Sequence, residues 1–139
     1  ENAMEELTAR NIPVIVHVIL GLPSETVDMQ YATISYLNKW KPFGIKLQLL
    51  HILKETDLAD YYENPANNYS ALNKQEYLDL LIGCIERLSP DIVIHRVTGD
   101  GPKELLIAPT WSLNKKDVLN SLHKQMRELG TYQGKLYQP

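Results

Sequence analysis

Three of the four histidines occupy similar places in the chain. His17, His51 and His95 each lie in a short apolar run: Ile12–Leu20 (IPVIVHVIL), Ile45–Leu53 (IKLQLLHIL) and Asp91–Val97 (DIVIHRV). Near neutral pH an imidazole can carry a proton, ligate a metal or hydrogen-bond a polar ligand. Three of them on adjacent strands could hold Zn²⁺ or iron. The competing reading is three cavity-lining or core histidines satisfied by backbone or water, since no Asp or Glu stands in strict strand alternation with any of them. Arg96 and Asp100 follow His95 in HRVTGDGP and would form with it a polar cluster. The same Gly-Asp-Gly-Pro pattern is also an ordinary turn. Gly21, at the end of the first run, would let a ligand approach the backbone closely, ahead of a helix whose free amides attract charge.

These residues need elements to position them, and the sequence supplies a repeating pattern. Each apolar run is bounded by Gly or Pro and reads as a strand buried on both faces, as in parallel sheets. After Gly21-Leu22-Pro23, Ser24 is the expected N-cap of a helix with Val27, Tyr31, Ile34 and Leu37 on one stripe. After the second run, Lys54–Ser70 is a polar, Tyr- and Asn-rich connection with a short helical turn near Asp57–Tyr62. Asn73 and Glu76 then form a capping-box pattern for a second helix, which carries Tyr77, Leu80, Leu81, Cys84, Ile85 and Leu88 on its apolar stripe. The third run leads to a loop with an apolar patch at Leu105–Ala108, and to a last helix from Asn114 that stops at Gly130. Residues 1–10 read as the end of a helix. Alternating strands and helices predict an α/β layout with parallel strands and right-handed crossovers. Ligands of such sheets lie beyond the carboxyl ends of the strands, where Gly21, His51 and the residues after His95 would meet. Alternation also sets His17, Ile19 and Gly21 on one face.

Composition narrows the functions. The chain has 139 residues, 44% of them hydrophobic, enough for a single core. Fourteen Lys and Arg against seventeen Asp and Glu leave a net charge of −3, with no basic tract to suggest nucleic acid or an anionic membrane. No apolar run approaches the roughly 20 residues of a membrane span. Residues Glu1, Glu5, Glu6 and Arg10 do not read as a secretory signal, and the expected location is cytoplasmic. The single cysteine, Cys84, excludes an internal disulfide framework and a cysteine-held cluster within this chain. Three strands are fewer than a free-standing sheet usually has, and a complete (β/α)8 barrel takes roughly 250 residues. The chain therefore reads as part of a barrel.

Three segments carry a resemblance to a known family. His17–Thr26 (HVILGLPSET) resembles the HVILGLPGET segment of radical S-adenosylmethionine (SAM) enzymes, including the elongator catalytic subunit and oxygen-independent coproporphyrinogen oxidase. Gly44–Thr56 (GIKLQLLHILKET) is similar to their next strand, usually GIKLHLLHVLKGT. Pro90–Pro102, Ala108–Ser112 and Gln133-Gly134 resemble the end of the YhcC-like group of Fe–S oxidoreductases. The resemblance spans the whole chain. It implies that residues 1–139 are a C-terminal fragment of a radical SAM domain, with 12–53 holding the last two strands of a partial TIM barrel and 90–139 a C-terminal extension. It implies SAM and a [4Fe–4S] cluster as cofactors of the full-length protein, with the cluster ligands absent from this chain and no metal residue within it. The adenine side of the SAM site would fall on His17, Ile19, Gly21, Leu50 and His51. His95, Arg96 and Asp100 are the candidates for a substrate or mouth cluster. Ser24 and Glu55 stand where this family usually has glycine, and Gln48 where it has histidine. A glycine needing positive φ would leave Glu55 strained.

Three functions follow as expectations. The first is an otherwise inactive C-terminal part of a radical SAM enzyme, whose partner is the remaining part of its own barrel. The second is a small metal-dependent hydrolase built on His17, His51 and His95. The third is a non-catalytic α/β binding module. In isolation a three-stranded piece has two open edges, and a homo-oligomer through them is expected.

Overall fold

The computed structural model describes residues 2–139 and has mixed α/β architecture. Helix α1 spans Asn2–Ala9 and buries none of its side chains. Strand β1 (Ile15–Leu20), helix α2 (Val27–Trp40) and strand β2 (Gly44–Leu49) follow. After β2 come a two-residue strand β3 (Ile52–Leu53), helix α3 (Asp57–Glu63) and helix α4 (Lys74–Arg87). Strand β4 (Val93–Arg96), strand β5 (Leu106–Ala108) and helix α5 (Lys115–Glu128) complete the fold. No described helix is long and apolar enough to cross a membrane.

Strands β1, β2 and β4 form one parallel sheet in that order. Its helix-facing side holds Val18, Leu20, Ile45, Leu47 and Leu49, which pack on Ile34 and Leu37 of α2 and on Tyr77, Leu78, Leu81 and Ile85 of α4. The opposite side shows exposed Ile15, His17 and Ile19 of β1 and exposed Val93 and His95 of β4. The alternation at β1 is the one expected of His17 and Ile19.

The expected second strand, Ile45–Leu53, divides. Leu50 and His51 belong to no strand, and Ile52–Leu53 leaves the parallel sheet to pair antiparallel with β5. The reason is a change of partner: Ile52 stands opposite Ala108, in the patch expected to be loop. The continuous apolar run carries no mark of that exchange. The first and third runs are also trimmed, to Ile15–Leu20 and Val93–Arg96.

Helix ends follow side-chain chemistry. Thr26, not Ser24, caps α2, with its hydroxyl accepting from the Met29 amide at 3.2 Å. Ser24 has φ 63, outside the extended region a cap residue uses. Asn73 and Glu76 make the capping box of α4, through bonds of 3.0 and 2.7 Å. At the end of α5 the Gly130 amide reaches Arg127 O and the Thr131 amide reaches Met126 O, a Schellman closure with Gly130 at φ 58. Ser24 and Glu55, the two positions where the resembling segments carry glycine, have φ 63 and 61. The left-handed backbone is kept although the glycines are not, at roughly 1–2 kcal/mol each.

Candidate functional site at the carboxyl ends of the strands

The end of β1 is held from several directions. Gly21 turns the chain out of the strand with φ 88, a conformation glycine adopts freely. Its amide donates to Gln30 Oε1 at 3.0 Å, and its carbonyl accepts from the Tyr69 hydroxyl at 2.8 Å. Beside it the ladder runs on past β2, because the Leu50 amide donates to Leu20 O at 2.9 Å. Leu50 thus lies one step beyond the Leu20–Leu49 pair, and strand alternation sets it on the same side as Lys46 and Gln48. His17, Ile19 and Leu50 share that open side. Ile19 is 44% exposed, high for an isoleucine in a parallel sheet.

His51 is placed differently. Its ring lies under the β4–β5 loop, where a Cβ on Gly99 or Gly101 would come within 2.8 or 2.7 Å of it. Its Nε2 is buried with no hydrogen-bond partner among the described residues. Burial, and then the charge of Lys115, hold its pKa below the ordinary histidine value.

The structure joins two of the three mouth-cluster candidates. Arg96 Nη1 lies 2.7 Å from Asp100 Oδ2, and Lys115 pairs with the other carboxylate oxygen. Both pairs are half-exposed, so screening leaves them little energy. His95 is apart from them. A Cβ on Gly44 would overlap its ring, and the Phe43 ring is centred 5.8 Å away, which sets His95 at the start of β2 rather than its end. A register shift between Ile45 and Lys46, which brings Arg96 opposite Lys46, accompanies this placement.

His17, His51 and His95 therefore face three different surroundings. Among the described residues no three His, Cys, Asp or Glu side chains are placed to hold a metal ion. The geometry on which a three-histidine hydrolase would depend is not present. Cys84 lies in the core on α4, and burial pushes its thiol up to about 12. Cluster ligation needs thiolates, so this residue does not fit a [4Fe–4S] cluster. The fourth histidine, His123, is exposed on α5, away from these three.

Sequence reasoning missed Gln30 and Tyr69. The available signal for Gln30 was a polar residue set close to the apolar stripe of α2, where it proves to be 4% exposed. Tyr69 gave no local signal, because its partner is 48 residues away.

The model of the Radical_SAM C-terminal domain matches residues 42–128. The chain belongs to this family. The uncharacterized protein YtqA of Bacillus subtilis is 38% identical over 97% of the chain. The uncharacterized protein MJ0486 of Methanocaldococcus jannaschii is 30% identical over 95%, and the protein YhcC of Escherichia coli K12 is 27% identical over 94%. The chain spans 41% of the length of each of these relatives. The YhcC-type resemblance of the sequence is therefore found along nearly the whole Radical_SAM C-terminal chain. The family match begins at Pro42, so β1 and Gly21 rest on the pairwise relatives.

Proposed function

We propose that the chain is the C-terminal part of a radical SAM Fe–S oxidoreductase, supplying the last two strands of a partial TIM barrel and the adenine-side wall of its SAM site. The observation that carries this reading is the uncovered side of the parallel sheet. Parallel sheets are ordinarily covered on both faces, yet here Ile15, Ile19 and Val93 stand exposed opposite the helix-packed core. A barrel interior would cover that side. SAM and a [4Fe–4S] cluster bound in the longer protein would supply the radical chemistry, with cluster ligands from outside this chain. Within the chain, Ile19 and Leu50 offer apolar surface to a flat base, Gly21 leaves the backbone approachable, and His17 shares the same side. His51 would act from behind this wall, through the loop that covers it. Arg96 and Asp100 line the way in from β4.

The partner of this chain is then the rest of its own barrel, and the setting is the reducing cytoplasm, where thiols and Fe–S clusters persist. In isolation the open edges of β1 and β4 favour self-association. The test uses the longer protein that carries the cluster cysteines. Ile19→Asp and Leu50→Asp are expected to weaken SAM binding in anaerobic equilibrium dialysis, and unchanged affinity in both refutes the wall. The chain alone, reconstituted with iron and sulfide, should produce no 5′-deoxyadenosine. Turnover by it would refute its inactivity.

A further inference from the structure

Glycine permits the Gly21 turn but does not select it, because glycine adopts either sign of φ with similar ease. The selection comes from side chains of two other segments. Gln30, 4% exposed on α2, accepts from the Gly21 amide at 3.0 Å. Its Nε2 points back to Thr26 O at 3.5 Å, which orients the amide group toward the turn. Tyr69, from the long connection between α3 and α4, donates its hydroxyl to the Gly21 carbonyl at 2.8 Å. From the same connection, Leu72 Cδ1 sits 3.0 Å from the point a Gly21 Cβ would occupy, closing the space beneath the turn. Tyr69 is itself fixed: the Tyr61 and Tyr62 rings are centred 6.0 and 6.2 Å from its own. Burial, followed by those two phenols, raises its hydroxyl pKa, so it stays protonated and a donor. Both backbone polar groups of one residue are thus bound by side chains of two other segments, which fixes the turn at the end of β1.

We propose that Tyr69 and Gln30 are positioning residues for the adenine side of the SAM site, clamping Gly21 so that Ile19 and Leu50 present a fixed surface to the base. The proposal rests on the wall reading above. It also gives the connection between α3 and α4 a role: Tyr69 and Leu72 bring it against the end of β1. Neither side chain need touch SAM; each acts through Gly21.

The experiment uses the longer cluster-bearing protein and SAM itself. Tyr69→Phe keeps the ring and removes one hydroxyl; Gln30→Leu removes the acceptor at similar volume. Each is expected to weaken SAM binding on the order of three- to tenfold, the scale of one lost hydrogen bond. Amide exchange at residues 20–24 should quicken in both, read by mass spectrometry, while exchange in α5 stays unchanged. Asn38→Ala, which loosens the far end of α2, separates positioning from general destabilisation: it should lower the melting temperature and leave SAM affinity as it was. If Tyr69→Phe and Gln30→Leu bind SAM like the parent while Ile19→Asp and Leu50→Asp do not, the clamp is wrong and the wall stands. If Ile19→Asp and Leu50→Asp also bind normally, both readings fall. Affinity that falls only in step with stability, in Asn38→Ala as in Tyr69→Phe, likewise overturns the clamp.

Discussion

Asn38 offers the sharpest test of how the helix layer is held to the sheet. It is 8% exposed near the end of α2, where its Nδ2 donates to Arg87 O at 2.8 Å and its Oδ1 accepts from the Ser89 amide at 2.9 Å. One side chain thereby joins the end of α2 to the end of α4 and to the turn that leads into β4. Asn38→Ala removes both bonds. Ser89 is 3% exposed, so its amide gains no water in exchange. A buried donor left without an acceptor costs about 1–3 kcal/mol, and a second lost hydrogen bond about 0.5–1.5 kcal/mol. The expected loss is about 2–4 kcal/mol, a large share of a typical stability of about 5–15 kcal/mol. In urea unfolding followed by tryptophan fluorescence, this corresponds to a midpoint about 1–2 M lower with the slope unchanged. Ser35→Ala, exposed on the same helix, should stay within about 0.5 kcal/mol of the parent. A loss below about 1 kcal/mol in Asn38→Ala would show that the two bonds are replaced by solvent, and that the junction is held by apolar packing alone.

Three further outcomes are expected. Gly101→Ala sets a Cβ 2.7 Å from the His51 ring and should cost about 1–3 kcal/mol; the cost should shrink in a His51→Ala background, and strict additivity in the double-mutant cycle would refute the contact. Because burial and then Lys115 lower the His51 pKa, the unfolded chain takes up that proton first, so stability should be full above about pH 6.5 and fall as pH drops through the folded value. Denaturation curves between pH 5 and 8 should show that slope reduced in His51→Gln, and an equal slope in both would count against it. Cys84, with its thiol pushed up to about 12 by burial, should resist iodoacetamide at about pH 8 until urea unfolds the chain; rapid labelling of the folded protein would contradict its place in the core.

The parts of the fold that were legible are those fixed by short-range pattern. Asn73 and Glu76 stand three apart and cap α4, and Gly130 ends α5, because both motifs close over a few residues. His17 betrays the open side of β1, since it is the one polar residue in a strand where Val16, Val18 and Leu20 would otherwise look like Ile15 and Ile19. What the pattern could not show is a change of partner. Nothing in Ile45–Leu53 marks the point where the chain leaves β2 and joins β5, because a strand buried by one sheet and a strand buried by another have the same composition. Alternation from Leu50 already turns His51 away from the side occupied by His17 and Ile19, and the exchange then places it under Gly99 and Gly101. The two glycines, which looked like a turn for its own sake, are small because an imidazole fills the space beside them. Gln30 and Tyr69 follow the same logic at longer range. Their chemistry is ordinary hydrogen bonding, and only the fold brings it to the one residue whose backbone must be held.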